Sequence, residues 1–170
     1  MTDNLGDSGV NEGLSKHVQE EVDRWLAIFP VGQKQSAVLA ALRAAQHENQ
    51  GYLTEGLMDA VADYLDLPRI AVYEVASFYS MLETEPCGRH SVSVCTNISC
   101  MLRGADEIIA HIESKLGIKV GQSTDDNRIY LKQEEECLAA CCGAPMMMVN
   151  HKYYENLTPD KVDAVLDGLE

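Results

Sequence analysis

The chain has 170 residues, of which 46% are hydrophobic and 24% charged, and this length suffices for one sizeable core or two small domains. Its net charge is −14, from 27 acidic and 13 basic residues. This balance argues against nucleic acids and anionic membrane surfaces as partners, because both require a basic face. It is compatible with plain solubility or with docking on a basic partner.

The amino-terminal segment and the distribution of apolar residues bear on the compartment. Residues 1–12 are polar and are predicted to form a disordered tail without the features of a signal or transit peptide. No apolar run approaches the ~20 residues of a membrane-spanning helix. We therefore expect a cytoplasmic protein, in which disulfides are rare, and this favours metal chemistry for the six cysteines.

Four short helices are predicted over residues 13–85, and we interpret them as a small helical bundle. Their apolar stripes, which include Trp25, Ile70 and Tyr79, are interpreted as its core rather than as a cofactor site. The predicted boundaries are Pro30 after the first helix, Gly51 after a second helix from about Gln35 to Glu48, Thr54 as the cap of the third and Pro68 at the start of the fourth.

A mixed α/β domain is predicted over residues 86–170, after a boundary marked by Pro86 and Gly88. A strand through Val92 and Val94 delivers Cys95 at its end. The remaining predicted elements are a helix from about Ser99 to Leu116, a strand from Arg128 to Lys132, a hairpin that turns at Asn150-His151, and a last helix capped by Thr158.

The cysteines form two close pairs far apart in the chain. Cys95-x4-Cys100 precedes Cys137-x3-Cys141, and Cys142 is a further thiol directly after the second pair. Two such pairs are what a four-thiolate metal or iron–sulfur site requires, because each can hold one side of the centre. From spacing alone, Cys137 could pair with Cys141 or with Cys142.

Other chemistries fit the cysteine spacing less well. A structural zinc site remains an alternative, although it usually has tighter C-x2-C pairs. A thioredoxin-type redox pair requires the C-x2-C that this chain lacks, and a Rieske centre requires two histidines, of which Cys87-x2-His90 provides half of a pattern. The wider C-x4-C gap favours a [2Fe–2S] cluster, which spans two irons.

The residues around the cysteines suggest no competing catalytic site. There is no Gly-rich phosphate loop, and the histidines (His17, His47, His90, His111 and His151) are scattered through different predicted elements. Gly143 could let backbone N–H groups approach the sulfurs, which would raise a reduction potential, whereas Glu134 to Glu136 would lower it. The run Met146 to Met148 could line the site or could simply alternate along a strand.

These segments resemble a known family. The motifs are VCTNISC at residues 94–100, CLAACCGAPMM at 137–147, QHENQGYL at 46–53 and VYEVASFYS at 72–80. They are similar to those of thioredoxin-like [2Fe–2S] ferredoxins, the family that includes the E subunit of NADH:quinone oxidoreductase (respiratory complex I). The resemblance covers about residues 14–169. It implies an α+β fold, with a small helical bundle followed by a thioredoxin-like domain.

The resemblance also implies a site. It assigns Cys95, Cys100, Cys137 and Cys141 as the ligands of a [2Fe–2S] cluster and no catalytic residue. Cys142 stands where the family usually has a non-ligand residue, and Cys87 lies outside the motif. Pro145 falls where a thioredoxin-like fold often has a cis-proline.

The function implied by the resemblance is electron transfer within an NADH dehydrogenase, in the peripheral arm of a membrane-attached complex. The chain would dock on a flavoprotein subunit that carries FMN, the NADH site and a [4Fe–4S] cluster, and would exchange single electrons with that flavin. It would hold no complete active site by itself. Alternatives are the equivalent subunit of an NAD-linked hydrogenase or formate dehydrogenase, and a zinc-stabilised binding module.

Overall fold

The computed structural model describes residues 13–132 and 137–170. The chain divides into two compact units, the first ending at Glu85 and the second beginning at Pro86. The predicted tail, residues 1–12, and the acidic run Glu134 to Glu136 lie outside the described residues.

Within residues 13–85, the described part of the first unit, there are four α-helices. They are α1 (Lys16–Leu26), α2 (Val38–Glu48), α3 (Glu55–Leu65) and α4 (Arg69–Phe78), with a 3-10 turn, Lys34–Ala37, before α2. Ser15 and Thr54 cap α1 and α3, because their hydroxyl oxygens accept hydrogen bonds from the N–H groups of Val18 and Leu57. Pro68 precedes α4, as predicted, but α1 ends at Leu26, before Pro30.

The core of this unit consists of aliphatic residues from all four helices, such as Val22, Leu42, Val61 and Val72, none of which is exposed. Three aromatic or branched residues of the predicted stripes lie outside it. Trp25, Ile70 and Tyr79 are 40%, 67% and 38% exposed. The prediction that they belong to the core was wrong, because helical spacing identifies a stripe but not its width.

The second unit is built on a mixed five-stranded sheet. Its strands are β1 (His90–Val94), β2 (Gln122–Ser123), β3 (Ile129–Lys132), β4 (Met147–Val149) and β5 (Lys152–Tyr154), in the spatial order β2-β3-β1-β4-β5. β1 is central and runs parallel to β3, whereas the other neighbours are antiparallel. A central strand places the residue that follows it, Cys95, in the middle of one sheet edge.

The helices of this unit are α5 (Ile98–Met101), α6 (Ala105–Leu116) and α7 (Pro159–Asp167). The predicted single helix from Ser99 to Leu116 is thus two helices. Gly104 separates α5 from α6, because its φ of +89° is a left-handed conformation that glycine adopts without steric cost. α6 and α7 bury Ile112 and Leu166 with the apolar strand residues in one core.

The hairpin β4–β5 confirms the predicted turn at Asn150-His151. Both residues have positive φ values, 47° and 68°, which is the requirement of the tight two-residue turn that matches strand twist. Within residues 13–132 and 137–170, no helix has both the length and the apolar character needed to cross a bilayer.

Candidate metal centre

The first cysteine pair is buried and held by regular structure. Cys95 follows β1, and its N–H donates to the carbonyl of Met146 at 3.1 Å. Cys100 lies in α5, which begins where the side chain of Asn97 accepts a hydrogen bond from the N–H of Ile98 at 2.9 Å. Each cysteine is only 1% exposed. A strand end and a short helix therefore fix this pair against the protein interior.

The protonation of Cys100 reflects this environment. Burial raises the pKa of its thiol to about 11, and a hydrogen bond with the Cys95 side chain acts in the same direction. The charge of Cys141 also raises this pKa, whereas a hydrogen bond with the backbone of Met146 lowers it. These interactions place thiols from both sequence pairs near each other. The raised pKa keeps the Cys100 thiol protonated near neutral pH, so a metal that binds this sulfur must displace its proton.

The second pair lies on a loop and is exposed. The Sγ atoms of Cys137 and Cys141 are 3.5 Å apart, and the N–H of Ala139 points at the Cys137 sulfur at 3.4 Å. Ala139 has a φ of +62°, which folds the three-residue gap so that this N–H turns inward. Spacing alone leaves Cys141 and Cys142 open as the partner of Cys137; the sulfur that lies against Cys137 is that of Cys141.

The first pair belongs to a small buried cluster, separate from the sheet core, which also includes Leu138 from the loop of the second pair. Cys95, Cys100, Ala105, Leu138, Ala144 and Met146 form it. The Met run divides between the two alternatives, because Met146 lies in this cluster, Met148 packs against it and Met147 belongs to the sheet core. The Ala144–Pro145 peptide bond between the cysteine loop and β4 is cis.

The remaining thiols are placed differently. Cys142 is exposed, in the 3-10 turn Cys141–Gly143, and Cys87 is half-buried in the segment before β1. The histidines lie in five separate places: His17 in α1, His47 in α2, His90 in β1, His111 in α6 and His151 in the hairpin turn. His111 bonds to Asp163 and His90 to Asn150, so both serve the scaffold.

Sequence reasoning misses Ala139 as the N–H donor to a sulfur. The sequence suggests only that Gly143 lets backbone N–H groups approach the sulfurs, and the N–H of Gly143 itself donates to the carbonyl of Ala140 at 3.0 Å. A left-handed alanine carries no pattern in the sequence, because Gly and Asn are the residues that usually mark that conformation. An N–H···S bond of this kind favours the reduced state of an iron–sulfur centre.

The donor set fits a binuclear iron–sulfur cluster. The thiols come as two pairs, and each pair suits one iron of a two-iron centre. In the described ranges no three His, Cys, Asp or Glu side chains gather as they would around a single ion. The structure places the sulfurs of Cys137 and Cys141 3.5 Å apart, joins Cys95 and Cys100 by a side-chain hydrogen bond, and lets the charge of Cys141 act on the pKa of Cys100.

A sheet with a parallel β1–β3 pair, flanking helices and four thiols at one end defines a class of thioredoxin-like iron–sulfur proteins. The family model for thioredoxin-like [2Fe–2S] ferredoxins matches residues 22–170, and the chain belongs to this family. Its fold class and its iron–sulfur cofactor, expected from the sequence motifs, are thereby confirmed.

Several curated relatives cover most of the chain. The E subunit of NADH-quinone oxidoreductase from Rickettsia bellii (strain RML369-C) is 43% identical over 83% of this chain and 84% of its own length. A second E subunit of the same enzyme, from Rhizobium meliloti (strain 1021), is 39% identical over 89% and 88%. The mitochondrial "NADH dehydrogenase [ubiquinone] flavoprotein 2" of Dictyostelium discoideum is 39% identical over 94% and 71%.

A solved structure of similar fold is an NAD⁺-reducing [NiFe]-hydrogenase in the air-oxidised state. The TM-score is 0.64 at 21% identity, over 75% of this chain. The match spans 22% of that longer chain. At this identity the likeness concerns the fold alone.

Proposed function

We propose that this chain is the electron-transfer subunit of an NADH dehydrogenase, the NADH:quinone oxidoreductase of respiratory complex I. The observation that carries the proposal is the convergence of four thiols in a chain about 40% identical to subunits of that enzyme. The relatives favour this assignment over a hydrogenase subunit, for which the likeness is one of fold. Family membership favours iron–sulfur over zinc.

Cys95, Cys100, Cys137 and Cys141 are the proposed ligands of a [2Fe–2S] cluster. When bound, such a cluster stores one electron at a time. The protein holds the buried pair rigidly at a strand end and in α5, and it directs the Ala139 N–H to the exposed pair. Burial of Met146 and Leu138 excludes water from one side of the site. The role of this chain is thus to bind, orient and insulate the redox centre.

The proposed partner is a flavoprotein subunit that carries FMN, the NADH site and a [4Fe–4S] cluster. The described residues supply no nucleotide-binding loop of their own, so NADH would bind and transfer hydride on that partner. Electrons would pass singly between its FMN and this chain. The assembled enzyme would place both subunits in its peripheral arm, attached to a membrane through other subunits.

An apolar surface beside the cluster motif supports docking of this partner. Ile98, Met101 and Leu102, which flank buried Cys100 in α5 and directly after it, are 68%, 47% and 76% exposed. We call these three residues the α5 patch. Contiguous exposed apolar residues mark protein interfaces. A partner seated there is also close to Cys100, and electron transfer requires short distances.

Metal analysis tests the proposal. Iron, acid-labile sulfide and zinc would be measured on anaerobically purified protein, with EPR before and after dithionite. We expect about two irons and two sulfides per chain and a signal that arises on reduction, as for a [2Fe–2S] cluster. Zinc without sulfide, and failure of reconstitution with iron and sulfide, would instead establish the zinc-stabilised module.

Co-purification tests the partner. The chain would be co-expressed with the flavoprotein subunit of the same organism's NADH dehydrogenase, and NADH would be added to the isolated pair. We expect a stable complex in which NADH generates the EPR signal of this chain. The assignment would be contradicted if no complex formed. It would also be contradicted if a complex formed but its [2Fe–2S] cluster stayed oxidised after NADH was added.

A further inference from the structure

Gly143 and Glu155 are in unusually close contact. A Cβ atom built on Gly143 would lie 2.6 Å from both Cβ and Cδ of Glu155, closer than real side-chain atoms approach. The backbone of Gly143 has no positive φ. Glycine is therefore required here because the Glu155 side chain occupies the space, and not because of backbone conformation.

The contact is fixed from both sides by backbone hydrogen bonds. The N–H of Asn156 donates to the carbonyl of Gly143 at 2.6 Å, and the N–H of Leu157 donates to that of Pro145 at 2.9 Å. The Lys161 ammonium donates to the carbonyl of Asn156 at 3.1 Å. These bonds hold the turn after β5 against the second cysteine loop. They therefore fix the position of Glu155 next to Gly143.

The Glu155 carboxylate brings negative charge close to a proposed ligand. Gly143 is two residues from Cys141, so their Cα atoms are at most about 7.6 Å apart. Oε2 of Glu155 lies against the Cβ position on Gly143, so this oxygen is at most about 11 Å from Cα of Cys141. That limit is comparable to the screening length of ~8–10 Å at physiological ionic strength. Among the described residues no cation forms an ion pair with this carboxylate, since Lys161 bonds to backbone carbonyl oxygens of Glu155 and Asn156 instead.

We propose that Glu155, whose side chain lies against Gly143, lowers the reduction potential of the cluster through the negative charge of its carboxylate. The inference rests on the proposed function, because it requires a [2Fe–2S] cluster on the four thiols. One-electron reduction, with the electron supplied by the partner flavin, adds one negative charge to the site. A carboxylate against Gly143, in the loop of the second pair, opposes that added charge and favours the oxidised state.

Potentiometric titration of cluster-loaded protein, followed by EPR, tests this role. We expect Glu155→Gln, which keeps size and packing, to shift the potential upward. The ratio of reduced to oxidised protein at a given potential should rise roughly twofold to tenfold in this variant. The lower value applies if water screens the exposed carboxylate. The shift should shrink at high salt. Glu155→Asp, which keeps the charge, should stay closer to the unchanged protein.

Asp125→Asn is the matched control, because it also removes one exposed carboxylate from the same unit. Asp125 lies in the β2–β3 turn, at the end of the sheet where β1 begins, whereas Cys95 follows the opposite end. We expect no shift. Equal potentials in Glu155→Gln and the unchanged protein, or equal shifts in Glu155→Gln and Asp125→Asn, would overturn the inference while leaving the proposed function intact. A chain that binds no iron and sulfide would overturn both.

A second pair of variants tests the steric relation independently of charge. Gly143→Ala should reduce cluster content, because the new methyl group collides with Glu155. Gly143→Ala combined with Glu155→Gly should recover most of it, because only glycine at position 155 removes both the Cβ and the Cδ atom that the new methyl group would meet. Equal loss in the single and double variants would show that Glu155 does not occupy this space.

Discussion

The two cysteine pairs achieve the same task in opposite ways. Cys95 and Cys100 are buried, at a strand end and in a short helix, whereas Cys137 and Cys141 are exposed on a loop. The first pair is held by elements whose hydrogen bonds exist regardless of a metal. The second depends on a left-handed alanine and on the Glu155 turn above it. The buried pair thus provides the rigid part of the site. The loop of the exposed pair provides the part whose nearby charge can alter the reduction potential.

Removal of a proposed ligand should have the largest effect and should act equally on both pairs. Cys→Ser at Cys95, Cys100, Cys137 or Cys141 is expected to abolish or severely disturb the cluster, because each removes a thiolate. Iron and sulfide analysis with EPR measures the loss.

The other thiols serve as controls for this prediction. Cys87→Ser and Cys142→Ser should leave the cluster largely intact. A normal spectrum in Cys141→Ser together with loss in Cys142→Ser would reverse the choice of fourth ligand.

A charge placed on the α5 patch tests whether the surface beside the buried cysteine pair binds the flavoprotein subunit. Leu102→Glu is expected to weaken binding of the flavoprotein subunit about tenfold or more, near 1.4 kcal/mol, because a carboxylate must then be desolvated at the interface. The cluster spectrum should not change. Titration calorimetry or surface plasmon resonance with the purified partner measures the affinity.

Ile70→Glu is a matched variant in the helical unit, since Ile70 is similarly exposed, at 67%. If Ile70→Glu weakens binding and Leu102→Glu does not, then the helices of the first unit form the docking surface and the α5 patch does not.

A glycine at position 139, in the loop of the exposed pair, should increase the stability of the protein. Ala139 has a φ of +62°, a conformation that costs an alanine roughly 1–2 kcal/mol. Ala139→Gly should therefore stabilise the loaded protein by up to about 1 kcal/mol after the entropy of glycine is subtracted. Thermal unfolding would show a higher midpoint.

Ala140→Gly tests whether this gain comes from the left-handed backbone. Ala140 has a φ of −114°, so glycine there brings only its entropic cost, about 0.5–1 kcal/mol. A higher midpoint in both variants would mean that the loop simply prefers flexibility.

The smallest expected effect concerns the scaffold behind the buried pair, where charges join α6 to α7. Asp163 accepts a hydrogen bond from His111 at 2.8 Å and pairs with Lys115 at 3.3 Å. The bond with His111, followed by that with Lys115, lowers the pKa of Asp163. Its contribution to stability is thus present above the ordinary carboxyl pKa of about 3.9 and is lost as pH falls through the lowered value.

Asp163→Asn should therefore lower stability slightly near neutral pH, and the difference from the unchanged protein should vanish in acid. Exposure of these groups keeps the effect small. Urea unfolding at several pH values measures it, with Asp125→Asn as the control. A difference that grows in acid would contradict the assignment.

Sequence patterns predicted most regular elements, for identifiable reasons. The hairpin at Asn150-His151 follows from residues that tolerate positive φ, and the starts of α1 and α3 have capping hydroxyls. The break between α5 and α6 was missed, because a single glycine inside a helical pattern is also compatible with an unbroken helix. The two-residue strand β2 was too short to produce an alternation.

Local patterns were enough to identify the family, through the spacing and surroundings of four cysteines, and to place the helices and strands through their periodicity. The assembled fold was needed to establish which thiols are buried, which sulfur lies against Cys137, and why residue 143 must be glycine. The physical reason is that spacing and caps act between residues near in the chain. The fit of Glu155 on Gly143 arises between segments that meet only when the sheet is complete.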